Sequence, residues 1–174
     1  AKRSSDVARQ ILQSLGYDDR TCELAAIAGY MHDIGNVVNR SDHAQSGALM
    51  AFTILNKMQM HPAEIALVVA AIGNHDEGTA SAVNPIAAAL ILSDKSDVRR
   101  SRVRDKETVA ADIHDRVNYA VTDTKLKINV EKRVISLNLQ IDPKICSMYE
   151  YFEIFLGRMM MCRGAADMLG STFK

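Results

Sequence analysis

The stretch Tyr30-Met31-His32-Asp33-Ile34-Gly35-Asn36 decides how the rest of the chain is interpreted. It places an imidazole next to a carboxylate at the end of an apolar helical run, and a glycine then permits the chain to turn away. Two later segments, Gly73-Asn74-His75-Asp76-Glu77-Gly78 and Leu92-Ser93-Asp94-Lys95, also put polar side chains at the end of an apolar run. Nitrogen and oxygen ligands that recur on hydrophobic helices indicate a divalent-metal site.

Apolar residues at helical spacing predict about five helices in residues 1–105. The second is apolar on nearly every side and ends at the His32-Asp33 dipeptide. The third begins near His43, the fourth has Pro62 in its first turn, and the fifth follows Asn84-Pro85. The pattern therefore predicts a mainly α fold, with its chemically useful side chains near helix ends.

The pattern changes after residue 105. A short helix is expected around Thr108–Ile113, and alternating polar and apolar residues in 125–130 and 134–141 predict a β-hairpin. Asp142-Pro143 predicts the start of a long final helix, about 143–169. Its apolar residues fall on one stripe: Ile145, Met148, Tyr149, Phe152, Leu156 and Met159. We expect a helical metal-binding domain in residues 1–105 and a small α+β lobe in residues 106–174, packed on the first.

Composition restricts the classes of partner. The chain of 174 residues has 21 basic and 21 acidic side chains, which argues against long nucleic acid or an anionic membrane as its partner. It has no uninterrupted apolar span long enough to cross a bilayer. Its 3 cysteines are widely spaced and form no recognisable disulfide framework, which favours a reducing compartment and a cytoplasmic location.

Burial strengthens the metal hypothesis. Asp94 interrupts an otherwise apolar helix, where a carboxylate is costly unless a metal, Lys95 or an arginine neutralises it. Taken alone, His43 or His75 would be interpreted as a hydrogen-bonded core residue. The metal hypothesis rests on their conjunction with His32, Asp33 and Asp94. Two other histidines are assigned to the surface: His61 as a helix cap, and His114, whose dipeptide with Asp115 lies in a polar region.

These residues resemble the HD superfamily of metal-dependent phosphohydrolases, through Met31-His32-Asp33-Ile34-Gly35, His43-Ala44-Gln45-Ser46-Gly47-Ala48, Gly73-Asn74-His75-Asp76 and Ser93-Asp94-Lys95. The resemblance implies an HD-domain-like helical bundle with one or two divalent ions, Mn, Fe, Zn or Mg. It implies that His32, Asp33 and Asp94 hold one ion, and that Asp33 bridges to a second ion held by His43 and His75.

Three departures from the family pattern affect this interpretation. The histidine that opens the first helix in the family would lie ahead of Ala1. Asp76 stands where dinuclear members often have a second histidine. Asn36 replaces a phosphate-binding lysine, so Lys95, Arg99 or Arg100 would have to contact the phosphate.

The resemblance implies a hydrolase that cleaves a phosphate ester of a nucleotide or another small phosphorylated molecule with a metal-activated water. The catalytic residues would be Asp33, Lys95 and Arg99. The alternative is a degenerate domain that binds a nucleotide or signal without cleaving it. Metal-dependent oxidation, as in distant relatives of the helical fold, ranks third. A homodimer is expected as one way to cover the edges of the hairpin.

Overall fold

The computed structural model describes residues 1–77, 81–103 and 112–174. These residues form seven α-helices and a three-stranded sheet. The helices are α1 (Lys2–Ser14), α2 (Asp19–Met31), α3 (His43–Lys57), α4 (Pro62–Gly73), α5 (Pro85–Lys95), α6 (Ile113–Ala120) and α7 (Met148–Met168). The strands are β1 (Val121–Asn129), β2 (Val134–Ile141) and β3 (Thr172–Phe173). The mainly α class with a small sheet is confirmed, and α1 to α5 correspond to the five predicted helices.

Local sequence explains where these helices begin. The Asp18 side chain accepts a hydrogen bond from Thr21 N at 3.0 Å, and Asn84 accepts one from Ala87 N at 2.7 Å. His61 caps α4 by accepting from Ala63 N, ahead of Pro62 in the first turn, as its surface assignment predicted. Within α5, 9 of 11 residues are buried, so this helix is central and its position determines where Asp94 lies.

The sheet begins earlier than expected and has an additional strand. β1 and β2 pair antiparallel, with Leu126 opposite Leu137, but β1 begins at Val121 and not near residue 125. The unpredicted strand β3 runs parallel to β2 and pairs Thr172 with Val134. The expected short helix of residues 108–113 lies mostly outside the described residues, and α6 begins at Ile113.

The predicted start of the last helix was wrong. Asp142-Pro143 belongs to a turn, in which Cys146 N donates to Asp142 O. α7 begins at Met148, because Ser147 and Glu150 form a reciprocal capping box in which each side chain bonds the other residue's backbone N–H. The capping box satisfies the backbone N–H groups of both Glu150 and Ser147. A helix that began at Asp142 would lack the second of these two hydrogen bonds.

Most of the predicted apolar stripe of the last helix does not face the core. Met148, Tyr149, Phe152 and Leu156 are all exposed, with Tyr149 89% accessible. The buried face of α7 instead consists of Tyr151, Phe155, Cys162, Ala165 and Ala166. Both stripes have helical spacing, so periodicity could not choose between them. The small residues of the second stripe let α7 approach the central helix closely.

One core joins the early and late parts of the chain. Cys162, Ala165 and Leu169 pack in the same hydrophobic cluster as residues of α1 to α5, and Ile135 of β2 belongs to it as well. A smaller cluster joins Val98 to α6, β1 and the first half of α7. The division into domains at residue 105 stays a prediction. None of the described helices combines the length and apolarity that a membrane crossing requires.

Candidate metal centre

Four segments bring the predicted ligands to one place. His32 caps the C-terminus of α2 and Asp33 follows it, His43 is the first residue of α3, His75 lies just beyond α4, and Asp94 is in the last turn of α5. The three histidines are 1 to 2% exposed, and the His75 ring lies 5.1 Å from the rings of both His32 and His43. Three buried imidazoles thus meet two carboxylates at one end of the helical bundle.

Gly35 makes this convergence sterically feasible. It lies in the short 3₁₀ helix Ile34–Val37, which packs against the first turns of α3. A Cβ at Gly35 would collide with the carbonyl oxygen of His43 and lie 2.6 Å from Gly47 N. Its backbone conformation is ordinary, so glycine is required here for close approach and not for a left-handed turn, a role that sequence reasoning did not foresee.

Each imidazole is oriented by its own backbone. Nδ1 of His32 lies 2.8 Å from Gly29 O, Nδ1 of His43 lies 3.0 Å from Arg40 O, and Nδ1 of His75 lies 2.6 Å from Ile72 O. A carbonyl oxygen can only accept, so Nδ1 must donate its proton in all three. In a neutral ring this leaves the Nε2 lone pair for a metal, the arrangement that usually orients ligating histidines.

The carboxylates surround these Nε2 atoms. His32 Nε2 lies 3.3 Å from Asp33 Oδ2 and 3.5 Å from Asp94 Oδ1, and His43 Nε2 lies 3.5 Å from Asp33 Oδ1. Asp33 therefore contacts one histidine with each oxygen. Asp76 approaches His43 and Lys95 from the other side, at 3.9 and 3.7 Å. Lys95, itself buried, holds Asp94 at 2.8 Å.

Protonation follows from these neighbours. Burial disfavours the charged imidazolium of His32, but hydrogen bonds and charge from Asp33 and Asp94 raise its pKa to about 9. Burial lowers the pKa of His75 to about 4, so this ring is neutral at pH 7. The hydrogen bond from His32 holds the pKa of Asp33 well below its usual range. Burial opposes ionisation of Asp94, but His32 and Lys95 keep its pKa low.

This donor set fits a divalent cation. Ligand atoms of His32, Asp33 and His75 all lie within 4.8 Å of one another. Asp94 adds a further carboxylate oxygen close to His32 Nε2. The proton on His32 lies between two ionised carboxylates, and a cation that binds them would displace it. Imidazole and carboxylate together suit Zn, Fe and Mn, and do not choose among them.

Sequence reasoning placed most of the polar cluster, but not all of it. A small polar cavity brings together Asp33, His43, Asp94 and Lys95, as expected. Arg99 lies elsewhere: its Nε donates to Asp97 at 2.7 Å, and its Nη1 donates to Ser101. Three arginines that were not predicted line the cavity with Asp76: Arg40, Arg102 and Arg158. Arg158 belongs to α7, more than sixty residues after Asp94, and no local pattern indicated its position.

Comparison with known families matches the chain to one described as HD domain, over residues 2–118. No curated protein and no solved structure matches the chain. The matched range contains all five proposed ligands and ends within α6, ahead of the sheet and α7.

Proposed function

The chain belongs to the HD-domain family, and from that premise we propose that it hydrolyses a phosphate ester of a small molecule with one or two divalent ions. The carrying observation is that three Nδ1-anchored imidazoles lie around Asp33 and Asp94, next to a polar cavity lined by His43, these carboxylates and several cationic side chains. A family of metal-dependent phosphohydrolases and a donor set suited to such ions support the same chemistry.

His32, Asp33 and Asp94 would hold one ion, and Asp33 with His43 and His75 would hold a second. An ion bound there supplies Lewis-acid chemistry, because it lowers the pKa of a water molecule that it binds and offsets charge on phosphate oxygens. Asp33 is suited to a bridging role because its two oxygens face different histidines.

The cationic side chains of the cavity supply the binding site for the phosphate. Lys95, Arg40, Arg102 and Arg158 line it, and guanidinium groups match phosphate oxygens with paired donors. Arg158 is positioned by Nε donating to Glu77 Oε1 at 2.5 Å and by stacking over the Phe155 ring. We assign the phosphate contact to these residues and not to Arg99.

In the proposed reaction the oxygen of water forms a new bond to phosphorus while the bond from phosphorus to the ester oxygen breaks. The alcohol leaves with one of the two protons of water, and phosphate keeps the other. The chain's own contribution is to orient the phosphate, hold the histidine nitrogens in one tautomer, and keep Asp33 and Asp94 ionised.

The test compares two of the chain's three His-Asp dipeptides, His32-Asp33 and His114-Asp115. Metal content by mass spectrometry and phosphate release from a panel of phosphate esters are measured for wild type, Asp33→Ala and Asp115→Ala, each purified without chelator. We expect wild type and Asp115→Ala to bind metal and release phosphate, and Asp33→Ala to lose both. Turnover retained by Asp33→Ala would overturn the assignment. Metal binding by wild type without release from any ester would favour the alternative of a binding module.

A further inference from the structure

A second and much larger cavity begins at Asp33. Its volume is about 930 Å³, and most of its lining comes from α2, α3 and the turns that follow them. Asp33 lines both this cavity and the small polar one that holds His43, Asp94 and Lys95. A ligand with its phosphate at the polar cavity and its remainder in the larger one would have to pass Asp33, which both cavities share.

The walls of the larger cavity are mainly apolar. Ile27, Met31, Ile34, Ile54 and Leu55 contribute side chains. Tyr30 and Met58 also line it and are 65% and 72% exposed, a large apolar surface to leave in water unless something binds there. A volume of this order with mainly apolar walls is typical of small-molecule sites.

Two polar side chains of the cavity wall already have partners in the described structure. Ser5 Oγ donates to Ala26 O at 2.8 Å. The Arg20 guanidinium donates to both carboxylate oxygens of Glu64 at 2.7 Å and to Glu23 at 2.8 Å. A nucleobase or sugar brings several donors and acceptors, and burying them without partners is costly. An alkyl or aryl group has no such requirement.

We propose that this cavity, named here the apolar cavity, binds the alcohol part of the substrate, and that the substrate is a phosphate monoester of an alkyl or aryl alcohol. The proposal rests on the proposed function for the location of the phosphate. Charge complementarity places the phosphate among Lys95, Arg40 and Arg158, and the shared residue Asp33 places the apolar group in the adjoining cavity.

The direct test is a homologous series. Phosphate release by the metal-loaded protein is measured for methyl, butyl and octyl phosphate, with glycerol phosphate as the polar comparison. Burial of each added methylene should raise kcat/KM on the order of threefold until the cavity is filled. A flat series, or a preference for glycerol phosphate over butyl phosphate, would overturn the proposal.

A matched pair of variants on α3 locates the effect. Ile54 lines the apolar cavity and is 36% exposed, whereas Leu49 lies on the same helix, is 70% exposed and is not part of that lining. Ile54→Asp should lower kcat/KM for octyl phosphate on the order of tenfold or more, since it puts a charge against the alkyl chain. Leu49→Asp should change kcat/KM for neither octyl phosphate nor methyl phosphate. Equal effects of the two variants would contradict the assignment.

A binding measurement separates this proposal from the proposed hydrolysis. Calorimetry with octylphosphonate, whose P–C bond is not a phosphate ester, is done on wild type, Ile54→Asp and Leu49→Asp. Binding that Ile54→Asp alone weakens supports the apolar cavity even if no ester is hydrolysed. Ester hydrolysis with no binding difference among the three proteins leaves the proposed function standing and overturns the cavity assignment.

Discussion

The chain contains the dipeptide His-Asp three times, and two of the copies, His32-Asp33 and His114-Asp115, lie in very different surroundings. His32-Asp33 follows α2, with His32 1% exposed and in contact with Asp94. His114-Asp115 opens α6, where His114 is exposed and both backbone N–H groups donate to the cap Asp112. His32-Asp33 is joined by residues from α3, α4 and α5. His114-Asp115 belongs to the start of a helix.

The difference shows what makes one of these dipeptides a candidate metal centre. An exposed histidine such as His114 loses little by remaining hydrated, so it has no need of a cation. Around His32, burial removes water from three imidazoles and Asp94. The negative charge of the carboxylates must then be compensated by Lys95, a proton or a metal.

The largest effect is expected from breaking the ion pair between Lys95 and Asp94, beside His32. Lys95→Met removes the ammonium that lies 2.8 Å from Asp94 and leaves a buried carboxylate with less compensation. We expect the free energy of unfolding of the metal-free protein to fall by about 3 kcal/mol. A saturating divalent ion should recover more stability in this variant than in wild type, as measured by denaturant unfolding with and without metal.

The control for Lys95→Met is an exposed pair of the same type. Lys125 Nζ lies 2.7 Å from Asp123, and both side chains are about half exposed or more. Lys125→Met should leave the unfolding midpoint unchanged with and without metal, because exposed ion pairs contribute little. If Lys95→Met were equally harmless, Lys95 would not be compensating Asp94.

The next largest effect is expected at Gly35, which lies close to the backbone of α3. In Gly35→Ala the new methyl group meets backbone atoms of His43 and Gly47, which cannot move without shifting α3. Overpacking of this kind costs about 1–3 kcal/mol of stability. His43 should move away from Asp33, so metal stoichiometry should fall as well. A variant with full metal content would show that the His43–Asp33 contact tolerates such a shift.

The same substitution on α7 should act in the opposite direction. A Cβ at Gly157 meets nothing within 4 Å, and the position is inside a helix. Gly157→Ala should raise the free energy of unfolding by up to about 1 kcal/mol, since alanine has less backbone entropy to lose. Thermal unfolding of the two Gly→Ala variants side by side checks both signs. Destabilisation at Gly157 would mean that this face of α7 is covered in solution.

The smallest effect is expected at the His114-Asp115 dipeptide. His114→Ala keeps both backbone bonds to Asp112 and removes only an exposed ring, so stability should change by no more than about 0.5 kcal/mol. Metal content by mass spectrometry should equal that of wild type. Loss of metal in His114→Ala would show that an ion also binds near α6, and the contrast between the dipeptides would fail.

Sequence patterns were sufficient for the elements that depend on neighbours along the chain. Helix caps at Asp18, His61 and Asn84 act within three residues, so α2, α4 and α5 begin where local chemistry predicts. The register of α7 was missed because two apolar stripes compete on one helix, and only packing against the central helix chooses the one with Cys162 and Ala165.

The candidate ligand types and their order along the chain were determined by the sequence, and the assignment of His32, Asp33, His43, His75 and Asp94 to a metal stays a prediction. Their surroundings were decided by the tertiary structure. It brought Arg158 from α7 to the polar cavity, paired Arg99 with Asp97 outside the lining of that cavity, and opened the apolar cavity beside Asp33. The physical reason is range: caps and periodicity act over a few residues, whereas a cavity forms where elements distant in sequence pack, and its lining depends on the relative positions of all of them.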